Sequence, residues 1–346
     1  MNLADLNKVA LAMVVPGKGV LAADESSGTI KKRFDAINVE STEETRRDYR
    51  EMLFRSQEAM SQYVSGVILY DETIWQNARD GTPLVKLIEQ SGAIPGIKVD
   101  EGTQALPNCP GELVTAGLDK LAERLKKYYE RGARFAKWRA VIDIGSGTDG
   151  RNIPTMSAIH VNAHALARYA ALCQQAQIVP IVEPEVLMDG DHDIDRCYEV
   201  TQRVLNKTFQ ELRVQRVALE GMVLKPNMAI SGKACAKQAS VEEVAEKTVR
   251  LLKACVPAAV PGVAFLSGGQ SDVEATAHLD AMHRLGPLPW GLTFSYGRAL
   301  QAAPQKAWSG KAENVAAGQC AFSHRARMNG LASRGEWQNS LEEKAT

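Results

Sequence analysis

The chain has 346 residues, 45% of them hydrophobic, and its 41 basic side chains balance 41 acidic ones. This is ordinary globular composition, long enough for a large core. The charge balance argues against nucleic acid or an anionic membrane surface as a partner, since both favour a basic excess. A small anionic substrate stays open, because it needs only local positive charge. The cysteines (Cys109, Cys173, Cys197, Cys235, Cys255 and Cys320) include no CxxC pair, as expected of a reduced, cytoplasmic protein. The apolar run at residues 9–15 follows Asp5 and precedes no small-residue cleavage site, so no export signal is expected. No apolar run approaches the roughly 20 residues of a membrane helix. The sequon Asn206-Lys207-Thr208 then has no significance, since glycosylation requires secretion.

In chain order, short β-like runs alternate with helical stretches. Residues 20–25 form the first strand and carry Asp24; Ser41-Thr42-Glu43-Glu44 then reads as a capping box. The second strand spans 65–71, and Thr82-Pro83 reads as an N-cap followed by a first-turn proline. The third, 96–100, carries Lys98. The helix after it sets Leu118, Leu121, Leu125 and Tyr128 on one face and stops at Gly132. Strand four, 135–142, carries Lys137 and Arg139; strand five, 178–186, carries Glu183 and Glu185. Residues two apart share a face, so each pair points one way. Lys225 sits on strand six, 222–227. Ser240-Val241-Glu242-Glu243 and Ser271-Asp272-Val273-Glu274 are further capping boxes, on either side of strand seven, 262–267, which ends on Ser267. Strand eight, 291–296, carries Ser295, with Arg298 just beyond. The polar segment 331–346 is expected to be a loosely held tail beyond a single domain of residues 1–330.

A β/α alternation repeated eight times predicts a parallel sheet with crossover helices, and eight strands close into a (β/α)8 barrel; an open doubly wound sheet is the rival. In a barrel the C-terminal strand ends share one mouth, where barrel enzymes place their sites. Charges inside apolar strands are costly unless paired or functional, and here several strands aim charge at the same rim. Lys225 could simply snorkel to solvent. The functional alternative rests on its neighbours: Lys137 and Lys225 flank the glutamates of strand five, and a partly desolvated lysine near another cation loses its proton more easily. A neutral amine can attack a ketone and form an iminium, an electron sink for carbon–carbon cleavage. Glu183 and Glu185 can then move protons, with the division of roles open at this point.

Ser267-Gly268-Gly269-Gln270-Ser271 follows strand seven and opens a capped helix, offering unpaired N–H groups to an anion. Tyr296-Gly297-Arg298 adds a guanidinium suited to phosphate, and the loops after strands seven and eight are the usual barrel phosphate site. A second cationic set, Lys98 with Ser26, Thr29 and Arg33, is expected to hold another phosphate across the mouth.

The segments Leu21-Ala22-Ala23-Asp24-Glu25-Ser26, Gly96-Ile97-Lys98-Val99-Asp100, Phe135-Ala136-Lys137-Trp138-Arg139, Ile181-Val182-Glu183-Pro184-Glu185, Leu224-Lys225-Pro226-Asn227-Met228, Phe265-Leu266-Ser267-Gly268-Gly269-Gln270 and Thr293-Phe294-Ser295-Tyr296-Gly297-Arg298 resemble, in order, those of class I fructose-bisphosphate aldolases. The resemblance implies a Schiff base between Lys225 and C2 of the ketose. It makes Glu183 the main acid–base residue, places Asp24 at the C4 hydroxyl, and has Lys137 support charged intermediates and Glu185 position Lys225. Ser267, Gly268, Gly297 and Arg298 would bind the C1 phosphate, with Ser295 close by; Ser26, Thr29, Arg33 and Lys98 would bind the C6 phosphate. Arg139 and Gly269 complete the expected substrate contacts. Thr29 stands where vertebrate forms have serine, and the hydroxyl is kept. The vertebrate terminal tyrosine has no counterpart here, where the tail offers only Trp337 as an aromatic, so the proton donor to the enamine stays unassigned. The resemblance further implies a homotetramer, a sugar bisphosphate substrate and no metal or other cofactor. The alternatives are the same chemistry on sedoheptulose 1,7-bisphosphate or fructose 1-phosphate, or a non-catalytic sugar-phosphate-binding barrel.

Three further patterns are set aside. Gly145–Gly150 fits GxGxxG, but no acidic residue falls between Asp149 and Glu183, so the ribose-binding carboxylate is missing. His160 and His164 lack the glutamate of HExxH. Asp189, Asp191 and Asp193 alternate as in a calcium loop, but Ile194 replaces its glycine.

Overall fold

The computed structural model describes residues 1–344, and in it each apolar run is a strand. Ala345 and Thr346 of the expected tail lie outside the described residues. The strands are β1 (Gly19–Ala23), β2 (Val64–Leu69), β3 (Ile94–Lys98), β4 (Phe135–Ile142), β5 (Val179–Val186), β6 (Val223–Leu224), β7 (Gly262–Phe265) and β8 (Gly291–Tyr296). Each pairs in parallel with the next, and β8 pairs with β1, so the sheet closes and the doubly wound alternative, which needs two open edges, is excluded. Parallel neighbours cannot be joined by tight turns, which is why helices return the chain between them. Several strands end a residue or two before the sequence pattern suggests. Asp24 lies just past β1 and Lys225 just past β6, although the Lys225 N–H still donates to the Val182 carbonyl at 2.8 Å.

The barrel interior is filled by inward residues of the strands, among them Val20, Ile68, Phe135, Ile181, Val223 and Ala264. Leu6, Ala10 and Met13 of the helix Leu3–Met13 plug its lower end. Phe135 has no room without the neighbouring glycines: a Cβ on Gly96 would stand 2.3 Å from its ring, and one on Gly66 2.9 Å. A larger core lies between the strands and the outer helices, where Trp138 stacks on Tyr169 with centroids 5.6 Å apart.

The capping signals were readable to within a residue or so. Ser271 forms the full reciprocal box with Glu274, and Ser240 caps the Glu243 N–H. Thr42 takes Thr45 as its partner in place of the expected Ser41–Glu44 pair, and Pro83 itself occupies the N-cap of Leu84–Gln90. The helix Leu121–Arg131 buries Leu121, Leu125 and Tyr128 and stops at Gly132, whose φ is 116°. The GxGxxG segment is an antiparallel hairpin of Gly145–Ser146 with Asn152–Ile153. His160 and His164 both turn Nδ1 toward Glu211.

The expectation of a loose C-terminal tail is corrected. The helix Val315–Ala332 runs past the expected boundary, and Trp337 is buried beyond it. The Trp337 N–H donates to Asp280 Oδ1 at 2.8 Å, its indole donates to Glu342 Oε1 at 3.0 Å, and Glu342 is ion-paired to buried Arg325. Asp280 and Arg325 hold Trp337 and Glu342 against the body, while Arg334, Glu336, Gln338, Asn339 and Ser340 stay exposed. The cysteines are free thiols, and no helix among the described residues is long and apolar enough to cross a membrane.

Phe135 is the largest side chain inside the barrel and is completely buried. Truncating a buried phenylalanine to alanine removes its transfer free energy and leaves a cavity. Phe135→Ala is therefore expected to lose about 3–5 kcal/mol of stability, measured by guanidinium unfolding. A loss within that of a surface control such as Leu11→Ala would show that the ring does not support the barrel.

Candidate active site

Adjacent strands bring the charged set together. Arg139 and Glu183 are register partners across β4 and β5, as are Lys98 and Lys137 across β3 and β4. The C-terminal mouth encloses a cavity of about 810 Å³. Every residue expected in the site lines it except Gly269, whose N–H instead faces Met188 Sδ at 2.6 Å.

At the floor runs a chain of buried charges. Lys225 Nζ lies 3.0 Å from Glu183 Oε1, Lys137 Nζ lies 3.2 Å from Glu183 Oε2, and Lys137 Nζ lies 2.6 Å from Asp24 Oδ2. The Lys225 side chain is 4% exposed and points into the mouth, which removes the snorkelling alternative. Glu183 Oε2 is near enough to Lys137 for an ion pair but off hydrogen-bond geometry, so this buried oxygen keeps a lone pair without a donor. Burial alone would push the Glu183 carboxyl up, but Lys137, then Lys225 and Arg139, outweigh it and hold the group ionised. Asp24 shows the same balance: burial raises it, Lys137 and Lys225 more than offset that, and it is held down at about 2. Burial would also discharge Lys137, but Asp24, Glu183 and Asp100 keep its ammonium firmly protonated. Glu185 is ion-paired to Arg139 at the side of this chain.

The first anion cradle lies at the ends of β7 and β8. Ser267, Gly268, Ser295, Gly297 and Arg298 line it, and it abuts the N-termini of the helices Asp272–Arg284 and Arg298–Trp308. The N–H groups of Gly268, Gly297 and Arg298 meet no protein acceptor among the described residues. Ser295 Oγ is buried without a hydrogen-bond partner. Such unpaired donors beside helix N-termini favour an anion.

The second set lies after β1. Ser26 caps the helix Ser27–Asp35, with its Oγ 3.1 Å from Thr29 Oγ1. Arg33 pairs with Glu25 at 2.5 Å, and Lys98 with Asp100 at 2.7 Å. Arg33 does not stand across the mouth from the first cradle: its Nη2 lies 3.8 Å from where a Gly297 Cβ would be. The closing β1–β8 pairing makes the two loops neighbours. Asp100 and Glu25, which anchor Lys98 and Arg33, were missed as site residues. The signal was present, since Asp100 follows Lys98 by two and so shares its face. Asp71 and Tyr128, hydrogen-bonded at 2.6 Å on the rim, left no such signal.

Fold and site together define a (β/α)8 enzyme with a buried lysine–carboxylate floor beneath anion cradles. Comparison with known proteins agrees. The family described as fructose-bisphosphate aldolase class-I matches residues 5–346. A probable fructose-bisphosphate aldolase class 1 of Xanthomonas campestris pv. campestris is 57% identical, over 98% of this chain and 100% of that protein. The cytosolic fructose-bisphosphate aldolase 4 of Arabidopsis thaliana is 53% identical, over 94% of this chain and 82% of that one. Among solved structures, the fructose-bisphosphate aldolase from Plasmodium falciparum, in complex with TRAP and a small molecule inhibitor, superposes with a TM-score of 0.94 at 49% identity, over 97% and 96% of the two chains. The chain belongs to the class-I fructose-bisphosphate aldolase family, glycolytic lyases that work through a Schiff base.

The floor's electrostatics set an acid limb. A carboxyl whose folded value is depressed stabilises the fold above its unfolded value and loses that contribution as pH falls through the folded one. For Asp24 the window runs from 3.8 down to about 2. Over it, the wild type is expected to lose about 2 kcal/mol more unfolding free energy than Asp24→Asn, measured by urea titrations at several pH values. Parallel acid limbs in the two proteins would contradict the Lys137–Asp24 assignment.

Proposed function

We propose that this mouth reversibly cleaves fructose 1,6-bisphosphate to dihydroxyacetone phosphate and glyceraldehyde 3-phosphate, with Lys225 as the nucleophile. The observation that carries the reading is the buried Lys225–Glu183 contact at 3.0 Å, which pairs an amine with the group that can take its proton. With that proton passed to Glu183, the amine attacks C2 and the carbonyl oxygen becomes a hydroxyl. Glu183 returns a proton as this hydroxyl leaves as water, giving the iminium. The C3–C4 bond then breaks, its electron pair flows into the iminium, and the C4 hydroxyl proton passes to Glu183 with Asp24 beside it. The donor-free Glu183 Oε2 is suited to accept it. The enamine takes a proton at C3, and water releases the ketose phosphate from Lys225. Lys137, held charged by two carboxylates, stabilises oxygen anions that develop nearby.

The β7–β8 cradle is read as the C1 phosphate site. Ser26, Thr29, Arg33 and Lys98 are read as the C6 phosphate site, with Arg139 beside Glu185 completing the substrate contacts. Cationic groups for two phosphates favour a bisphosphate over fructose 1-phosphate. We further propose a cytoplasmic homotetramer, supported by the family and, for location, by a cytosolic relative. A light-scattering mass of four chains is the expected result for assembly.

Borohydride reduction in the presence of dihydroxyacetone phosphate should leave a stable adduct on Lys225, located by peptide mapping and absent from Lys225→Ala. That variant's kcat should fall by on the order of 10⁴ or more, and wild-type activity should survive EDTA because the amine itself is the electron sink. An adduct on Lys137 instead would overturn the assignment of the nucleophile. Arg298→Ala should raise KM for the bisphosphate at least tenfold, the size of one lost charge-assisted contact; an unchanged KM removes Arg298 from the phosphate role.

A further inference from the structure

The loop at residues 267–271 contains Gly268, whose φ is +55°, followed by Gly269, so its peptide planes can rotate at little steric cost. For an anion, the orientation of the peptide between Ser267 and Gly268 decides everything. One face of that plane is the Gly268 N–H, which attracts phosphate; the other is the Ser267 carbonyl, which repels it. In a trans peptide the two point in opposite directions. Whatever pins the Ser267 oxygen therefore aims the Gly268 N–H.

Gln270 pins it twice. Its backbone N–H donates to the Ser267 oxygen at 3.2 Å and its side-chain Nε2 donates to the same oxygen at 3.0 Å. Gln270 is 4% exposed, and its Oε1 is in turn held by His278 Nδ1 at 2.6 Å. An amide oxygen only accepts, so Nδ1 carries the hydrogen. His278 sits on the helix Asp272–Arg284, buried and fixed by packing rather than by the loop. Two further loop carbonyls, Gly268 O and Gln270 O, are occupied by Arg298 Nη2, which neutralises their charge beside the cradle. The Gly268 N–H is left at the cavity wall without a protein acceptor among the described residues.

We infer that Gln270 and His278 are positioning residues: the His278 imidazole fixes the Gln270 amide, which locks the Ser267–Gly268 peptide with its N–H toward the phosphate of dihydroxyacetone phosphate. The inference rests on the reading of the β7–β8 cradle as the C1 phosphate site. It concerns one phosphate only, and the condensation direction separates the two. Dihydroxyacetone phosphate places its phosphate in this cradle, while glyceraldehyde 3-phosphate places its phosphate in the other.

The test measures both KM values in the condensation direction for Gln270→Met, His278→Leu and His278→Asn, with Arg298→Ala as the reference. Gln270→Met and His278→Leu should raise KM for dihydroxyacetone phosphate roughly tenfold, the weight of one hydrogen bond to a charged group. KM for glyceraldehyde 3-phosphate should change by less than about twofold. His278→Asn, whose amide restores a donor near the Nδ1 position, should recover most of the loss. A general loosening of the barrel would raise both KM values and would not be rescued by asparagine, and that result overturns the inference. So does an unchanged KM for dihydroxyacetone phosphate in both brace variants while Arg298→Ala raises it. If Arg298→Ala also leaves that KM unchanged, the cradle reading itself fails. Should Gln270→Met not fold, the contrast between His278→Leu and His278→Asn decides the matter alone.

Discussion

Glu183 is buried between two lysines, and the arrangement of the mouth follows from that one fact. A lone carboxylate or ammonium at this depth would cost several kcal/mol in desolvation. Two lysines flanking one carboxylate would still leave an excess cation, and Asp24 supplies the second anion through Lys137. The four charges balance only as a set. Removing Lys137 or Glu183 strips Asp24 or Lys225 of its partner in this chain, and removing either end leaves one charge in excess, which is why the chain of contacts from Lys225 to Asp24 is structural as well as chemical. Barrel closure is what permits it: β4, β5 and β6 are consecutive neighbours, and β1 is brought round by its pairing with β8.

The same closure fixes the anion sites. Loops after β7, β8 and β1 are adjacent on the rim, so the Arg33 guanidinium comes near Gly297. Each basic side chain there is also tied to a protein acceptor, Arg33 to Glu25, Lys98 to Asp100, and Arg298 to loop carbonyls. Pre-paired cations lose less freedom on meeting a phosphate than free ones, and preorganised donors are the effective ones at a developing charge.

Much of this was legible in the sequence because charge inside an apolar strand is conspicuous. Asp24, Lys98, Lys137, Arg139, Glu183, Glu185 and Lys225 each interrupt or terminate such a run, and periodicity put them on one rim. What was not legible depends on contacts that no local pattern encodes. Gly269 looked equivalent to Gly268, yet a sulfur from residue 188 covers its N–H. The segment beyond residue 330 read as polar and loose because nothing near it in sequence reveals buried Arg325 as the partner of Glu342. Ser41 and Glu44 fit a capping pattern, but Thr42 and Thr45 satisfy the same backbone groups one residue along. In the first two cases tertiary packing decided the outcome, and in the third two local caps competed one residue apart.

The two lysines of the floor show how partners divide roles between identical side chains. Lys137 has two carboxylates within 3.2 Å, Asp24 and Glu183, so removing its proton forfeits two ion pairs. Lys225 has one, Glu183 at 3.0 Å, and the group that would lose the attraction is the same group that would receive the proton. Transfer across that contact turns an ion pair into a neutral hydrogen bond without moving charge out of the site. Lys137 meanwhile stays cationic beside the other Glu183 oxygen, held there by its second partner Asp24. A fixed charge and a chemically available amine thus arise from one residue type two strands apart, separated only by which carboxylates the barrel register sets against each.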